Sequence, residues 1–180
     1  MQKWLQRKRS MQPTRTLGKL GEKMSETLSK GLNKQLNREF YSAYLYFAMS
    51  TYFTEISLNG FAKYMKRQAK EELKHAQKIH NYLIDRGIKI EYERIEAPDA
   101  SWINTLDVFE YAYNHEKYMT ESIYNIYEKA KEEKDYSLEV FLDNFVEEQS
   151  EEEAKFSKMI DRIKIATACE CGIHTLDLEL

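Results

Sequence analysis

From Ser25 onward, apolar residues recur every three or four positions over four long stretches, the period of a helix with one buried face. In the first stretch the stripe is Leu28, Leu32, Leu36, Glu39, Ala43, Tyr46 and Phe47, with Ser25 or Thr27 as N-cap, which predicts a helix over about 25–54. In the second, Phe61, Met65, Glu72, His75, Ile79 and Leu83 share a face and Gly87 supplies a stop, predicting a helix over about 58–86. A third over about 104–133 opens at Asn104 with Asp107 in its first turn and carries Phe109, Ala112, Glu116, Met119 and Ile123. Asp135 caps a fourth over about 135–165, with Leu138, Phe141, Phe145, Glu152, Phe156, Met159 and Ile163 on its stripe. A short amphipathic segment containing Ile173, Leu176 and Leu178 predicts a fifth over about 170–179.

Between the second and third stretches, residues 87 to 102 lose the helical period, with Ile88, Ile90 and Tyr92 alternating before Pro98. An extended segment of that length reaches about 50 Å, against about 43 Å for the second helix, so the connection can cross the whole molecule and leave helices two and three parallel. The other connections are short. The expected fold is all-α: a four-helix bundle with one long crossover and a short fifth helix.

Each of the four apolar stripes contains a carboxylate near its middle: Glu39, Glu72, Glu116 and Glu152. An unpaired buried carboxylate costs several kcal/mol, and the remedies are a paired cation, a shifted pKa or a bound metal. Glu72 and His75 lie three apart, so a carboxylate and an imidazole converge on one point. A lone Glu-x-x-His is ordinarily a solvated pair or a satisfied histidine. Four such acids with one imidazole instead describe an oxygen-rich cage suited to iron or manganese over zinc.

Smaller signals surround this set. Glu148, Glu151 and Glu152 fall at i, i+3 and i+4, and Glu71 adjoins Glu72, which suggests a third, more exposed metal position; Glu147 and Glu153 read as solvated. Tyr46, seven residues after Glu39, is placed to bond a ligand or give up an electron, or else is a core tyrosine with a satisfied hydroxyl. His80, His115 and His174 read as ordinary residues. Cys169, Cys171 and His174 are a weak candidate for a soft metal.

Composition narrows the class. Six Gly and two Pro fit a helical chain, and no apolar run approaches the length of a membrane span, so a soluble protein is expected. Two cysteines are too few and too close for a disulfide framework, which points to a reducing cytosol and a cytoplasmic location. Residues 1–23 hold seven of the 27 basic residues and one of the 30 acidic ones, a net of +6, leaving the rest at −9. That basic arm reads as a disordered extension ahead of Met24, with a nucleic-acid-binding arm as the alternative.

The segments Asn37-Arg38-Glu39-Phe40-Tyr41-Ser42-Ala43-Tyr44-Leu45-Tyr46, Glu71-Glu72-Leu73-Lys74-His75, Glu116 and Glu148-Gln149-Ser150-Glu151-Glu152-Glu153 stand in register with one family. Over residues 24–180 the chain resembles the non-haem ferritins of bacteria and archaea, in the ferritin-like di-iron family. The resemblance implies a ferroxidase centre in which Glu39, Glu72 and His75 hold a first iron. Glu72 would bridge to a second held by Glu116 and Glu152, with Gln149 lining that position and Tyr46 behind the ligands. Glu71, Glu148, Glu151 and Glu152 match the family's third site.

The implied activity is oxidation of Fe(II) by dioxygen or peroxide, with ferric mineral stored in a hollow 24-mer. Helix four has no second Glu-x-x-His, Leu73 stands where a haem-binding bacterioferritin would carry methionine, and no rubredoxin-like Cys-x-x-Cys pair occurs. No haem is therefore expected. The basic arm, Cys169-Glu170-Cys171 and the short fifth helix depart from the family pattern. Two other readings are a DNA-associating protective shell that uses residues 1–23, and a catalytically silent bundle whose acids pair with Lys or Arg.

Overall fold

A computed structural model describes residues 24–98 and 100–180; the basic arm, and with it the expectation of disorder or of a nucleic-acid contact, lies outside the described residues. The chain forms α1 (Glu26–Glu55), α2 (Asn59–Asp85), α3 (Thr105–Glu133), α4 (Tyr136–Ala166) and α5 (Gly172–Leu178). Three of the four long helices start at a side-chain cap. Ser25 Oγ accepts the Leu28 amide at 3.1 Å, Asn104 Oδ1 that of Asp107 at 3.0 Å and Asp135 Oδ1 that of Leu138 at 3.1 Å. Each such bond satisfies an otherwise orphaned helix donor and contributes about 1 kcal/mol.

The buried apolar residues fall into two clusters at opposite ends of the bundle. One gathers Leu28 and Leu32 from the start of α1, Leu83 from the end of α2, Ile126 and Ala130 from the end of α3, and Leu138 from the start of α4. The other gathers Phe53, Phe61, Phe109, Phe156 and Ile163, with Leu176 of α5. Starts and ends meet in this order only if α2 and α3 run parallel and α1 and α4 run against them. Each fully buried Leu or Phe contributes about 1.5–3 kcal/mol, so the two clusters clamp the layer between them from both sides.

The crossover is held to α1 by two asparagines. Asn33 Oδ1 accepts the Glu91 amide at 2.7 Å while its amide nitrogen donates to Lys89 O at 3.1 Å, and Asn37 does the same for Glu93 N and Glu91 O, both at 2.8 Å. Side-chain amides here stand in for a neighbouring strand, satisfying backbone groups that the extended segment cannot satisfy itself. Ile88 and Ile90 turn inward onto the first cluster, whereas Tyr92 is exposed.

Three assignments from the apolar period need correction. Phe47 is 41% exposed, because Leu45 and Tyr46 already fill the buried arc of this turn and the next position, about 100° further round, falls outside it. Leu178 is 88% exposed because α5 is short and rests on the bundle through Ile173 and Leu176. Phe141 is half-buried, stacked on Tyr82 at 4.0 Å between ring centroids. Among the described residues no helix is long and apolar enough to cross a membrane.

Candidate metal centre

The layer between the two apolar clusters is polar. Glu39 on α1, Glu72 and His75 on α2, Glu116 on α3, and Gln149 and Glu152 on α4 are all buried there. Each sits on its helix's apolar stripe because the stripe is continuous along the helix while the bundle's interior changes character at mid-height.

Glu39, Glu72 and His75 form the tightest group, with one potential ligand atom from each lying within 4.8 Å of the others. His75 Nδ1 stands 3.5 Å from Glu72 Oε2 and 3.8 Å from Glu39 Oε2. Its other nitrogen, Nε2, lies 3.2 Å from Glu148 Oε2, so the imidazole bridges the buried acids and the half-buried one. Glu116 takes a hydrogen bond from the Tyr46 hydroxyl and another from Gln149 Nε2 at 3.1 Å. Glu152 takes one from Gln68 Nε2 at 2.7 Å and pairs with Lys155 Nζ at 2.6 Å.

The electrostatics follow from crowding negative groups away from water. Burial pushes Glu39 and Glu72 well above the carboxylate range, and the charge of Glu72 pushes Glu39 further, as that of Glu116 does Glu72, while His75 beside Glu39 and the hydrogen bond from Glu39 to Glu72 pull the other way. Glu116 is raised to about 7 by burial, with the Tyr46 and Gln149 hydrogen bonds pulling the other way. The Tyr46 phenol is also held well above its usual value by burial and by Glu116. Among the described residues no Lys or Arg pairs with Glu39, Glu72 or Glu116. Ammonium groups reach only the rim, where Lys155 meets Glu152 and Lys78 meets Glu148 at 2.6 Å.

Glu71, Glu148 and Glu151 line the rim. With Lys74, Lys78 and Lys155 they border a cavity of about 230 Å³ between α2 and α4, open beside His75. Glu151 is exposed and Glu71 half-buried. The solvated reading of Glu153 does not hold: its carboxylate accepts the Thr120 hydroxyl at 2.6 Å and the residue is half-buried. Cys169 and Cys171 share one surface cavity with Arg162 and Glu179, whereas His174 lines a different one with Asn59 and Lys63. The three do not form a common site among the described residues. His80 lies against Tyr92 as an ordinary surface contact.

The sequence reading missed the buried amides. Gln35 is wholly buried and donates to Glu39 Oε1 at 2.8 Å, while its oxygen accepts the Ser122 hydroxyl; Gln68 holds Glu152. Both stand four residues ahead of a core acid on the same stripe, Gln35 before Glu39 and Gln68 before Glu72, and that recurrence was available in the sequence.

A carboxylate-rich, water-poor pocket with one imidazole can bind hard or borderline divalent cations, whose charge offsets the mutual repulsion of the acids. The donor set suits iron. Comparison with known proteins agrees in kind. The ferritin-like domain matches residues 29–166. A bacterial non-haem ferritin of Staphylococcus aureus is 40% identical over 123 residues, 68% of this chain and 74% of that one. Another from Bacteroides fragilis is 37% identical over 142 residues, covering 79% and 88%. In three dimensions the open-pore ferritin of the hyperthermophilic archaeon Archaeoglobus fulgidus superposes with a TM-score of 0.85 at 37% identity, over 87% of this chain and 96% of that one. With this bundle, this buried acid layer and these relatives, the chain belongs to the ferritin family, beside bacterial non-haem ferritins and an archaeal ferritin.

Proposed function

We propose that the protein is an iron-storage ferroxidase that takes Fe(II) as substrate, oxidises it in the buried acid layer and deposits ferric mineral inside a hollow shell of identical subunits. The observation that carries this reading is the group of Glu39, Glu72 and His75, which converges on one point and whose acids, among the described residues, meet an imidazole but no Lys or Arg. A silent bundle would have neutralised these acids with Lys or Arg; here that is true only of Glu152.

In this reading Glu39, Glu72 and His75 bind one ferrous ion, and Glu72 is shared with a second bound by Glu116 and Glu152. Gln149 and Tyr46 hold Glu116 in place through their hydrogen bonds. The first protein step is loss of protons: acids that burial keeps protonated release them as cations bind. Each of two Fe(II) ions gives one electron to dioxygen, which with two protons leaves as hydrogen peroxide. Both ions become Fe(III), for which the carboxylates of the rim are a good exit.

Glu71, Glu148, Glu151 and Glu152 form that rim and would hold a third ion in transit, with Lys78 and Lys155 moving aside. The net negative charge of residues 24–180 suits a wall that collects cations and nucleates ferric oxide. A 24-mer follows the ferritin relatives, and a cytoplasmic store accords with two exposed free thiols.

The test is the initial rate of Fe(II) oxidation in dioxygen at two ions per subunit, followed by absorbance. Glu72→Ala should abolish the rapid phase; an unchanged initial rate in that variant would exclude the reading.

A further inference from the structure

Behind the acid layer, α1 and α3 carry a set of rings of which the proposed ferroxidase uses only Tyr46, through its hydroxyl on Glu116. His115 precedes Glu116 on α3, and its Nε2 lies 2.7 Å from the Ser42 hydroxyl. Its imidazole touches three tyrosines. Tyr46 meets it edge-on at 6.3 Å between centroids, Tyr41 at 5.9 Å and Tyr118 at 6.3 Å.

These contacts step outward. Tyr46 is wholly buried with its hydroxyl on Glu116, Tyr41 is half-buried, and Tyr118 is 49% exposed. The path opens into a surface cavity of about 500 Å³ bordered by Lys34, Arg38, Tyr41, Arg94, His115 and Tyr118. Arg38 fixes its outer end, donating to the Tyr118 hydroxyl from Nε at 2.9 Å and to Ser122 Oγ from Nη1 at 2.7 Å, with the guanidinium 5.5 Å from the Tyr118 ring centroid. Aromatic contacts alone are ordinary core packing. Here, however, oxidisable phenols stand at both ends, one on a buried acid and one in water, with continuous ring contact between them.

We propose that Tyr46, His115 and Tyr118 form an electron path by which the surface phenol of Tyr118 supplies an electron to the buried site when too few ferrous ions are bound there. The inference rests on the ferroxidase reading. Its occasion is a two-electron oxidant, hydrogen peroxide, meeting a subunit that holds one Fe(II). The O–O bond breaks as two electrons enter, one from Fe(II), which becomes Fe(III), and one from Tyr118, which becomes the neutral phenoxyl radical. The phenol's proton and one proton from solvent complete two water molecules. The imidazole bridges the rings and is not itself oxidised. The oxidising equivalent thus ends on an exposed ring, where external reductants can quench it, and not on the buried ligands.

The experiment mixes full-length protein carrying one Fe(II) per subunit with hydrogen peroxide, freezes it at intervals and records electron paramagnetic resonance. The wild type should develop a long-lived tyrosyl radical. Tyr118→Phe keeps the ring and its place under Arg38 but has no oxidisable hydroxyl, and should lose most of that signal. Tyr118→Trp should replace it with an indole radical of distinct spectrum. Absence of any radical in the wild type, or an unchanged tyrosyl spectrum and lifetime in Tyr118→Phe, overturns the proposal. The dioxygen rate at two Fe(II) per subunit is measured on the same samples. If the wild type lacks that rate, the ferroxidase reading fails; if the rate is present while the radical ignores Tyr118, the electron path alone fails.

Discussion

Asp177 on α5 accepts the backbone amide of Phe61 on α2 at 2.8 Å, a bond between residues 116 apart in the chain. Leu58, the residue in the N-cap position of α2, offers no side-chain acceptor, so the cap comes from the far end of the chain. Gly60 makes this possible: a Cβ there would fall 1.8 Å from the Asp177 carbonyl oxygen. The short fifth helix is therefore both a hydrophobic plug, through Leu176, and the missing cap of a helix that carries two of the central ligands.

Removing that cap should loosen α5 before it harms the bundle. Asp177→Ala is expected to cost about 1 kcal/mol, the usual value of a lost cap. Gly60→Ala should cost more, since the new methyl collides with backbone and not with a flexible side chain. Limited proteolysis between α4 and α5, with thermal melts, checks both; equal protease resistance in Gly60→Ala and wild type would contradict the docking.

The acid layer should make the metal-free protein less stable than it could be. Glu39→Gln keeps the shape and allows Gln35 to go on donating to the new amide's oxygen, while removing one repelling carboxylate. The expected gain is on the order of 1 kcal/mol above neutral pH, together with loss of rapid Fe(II) oxidation, a trade of stability against activity. Denaturant titration of both proteins after exhaustive chelation measures it.

The pH dependence has a definite sign. Glu116 is raised to about 7 and Glu39 and Glu72 well above their ordinary values, all chiefly by burial, so the folded state keeps protons that the unfolded chain loses above about 4.5. Stability of the metal-free protein should accordingly fall as pH rises from the ordinary carboxylate range through about 7. Divalent cations must displace those protons, so binding should release protons at about pH 6 and weaken as pH falls. Calorimetric titration in two buffers of different ionisation heat reads the release directly.

A second ionic contact acts in the opposite direction. Arg86 at the end of α2 donates to both oxygens of Asp135, at 3.0 and 2.8 Å, while Asp135 also caps α4. The Arg86 hydrogen bonds hold the Asp135 carboxyl below its usual value, so its stabilisation is present above that value and is lost as pH falls through the folded one. Asp135→Asn should retain part of the cap and flatten the acid limb of stability. Asp135→Ala should cost about 1–2 kcal/mol at neutral pH, as measured by denaturant unfolding.

Much of this protein is local in origin and so could be read from residue order. The period of Leu28, Leu32 and Leu36, the caps at Ser25, Asn104 and Asp135, and the positive-φ glycine at Gly87 express forces acting within one or two turns, and they determine which segments are helical. The intrusion of Glu39, Glu72, Glu116 and Glu152 into apolar stripes was equally plain, because a charged residue in phase with an apolar stripe needs no partner to be noticed. Tertiary structure decided what those residues meet. Gln68 lies one turn before Glu72 yet bonds Glu152 on another helix; Cys171 and His174 are three apart yet border different cavities; Asp177 caps a helix that starts more than a hundred residues earlier. Helical period determines which direction a side chain faces, but the partner it finds depends on how four separate rods are turned and stacked, and that is set by the sum of all their contacts.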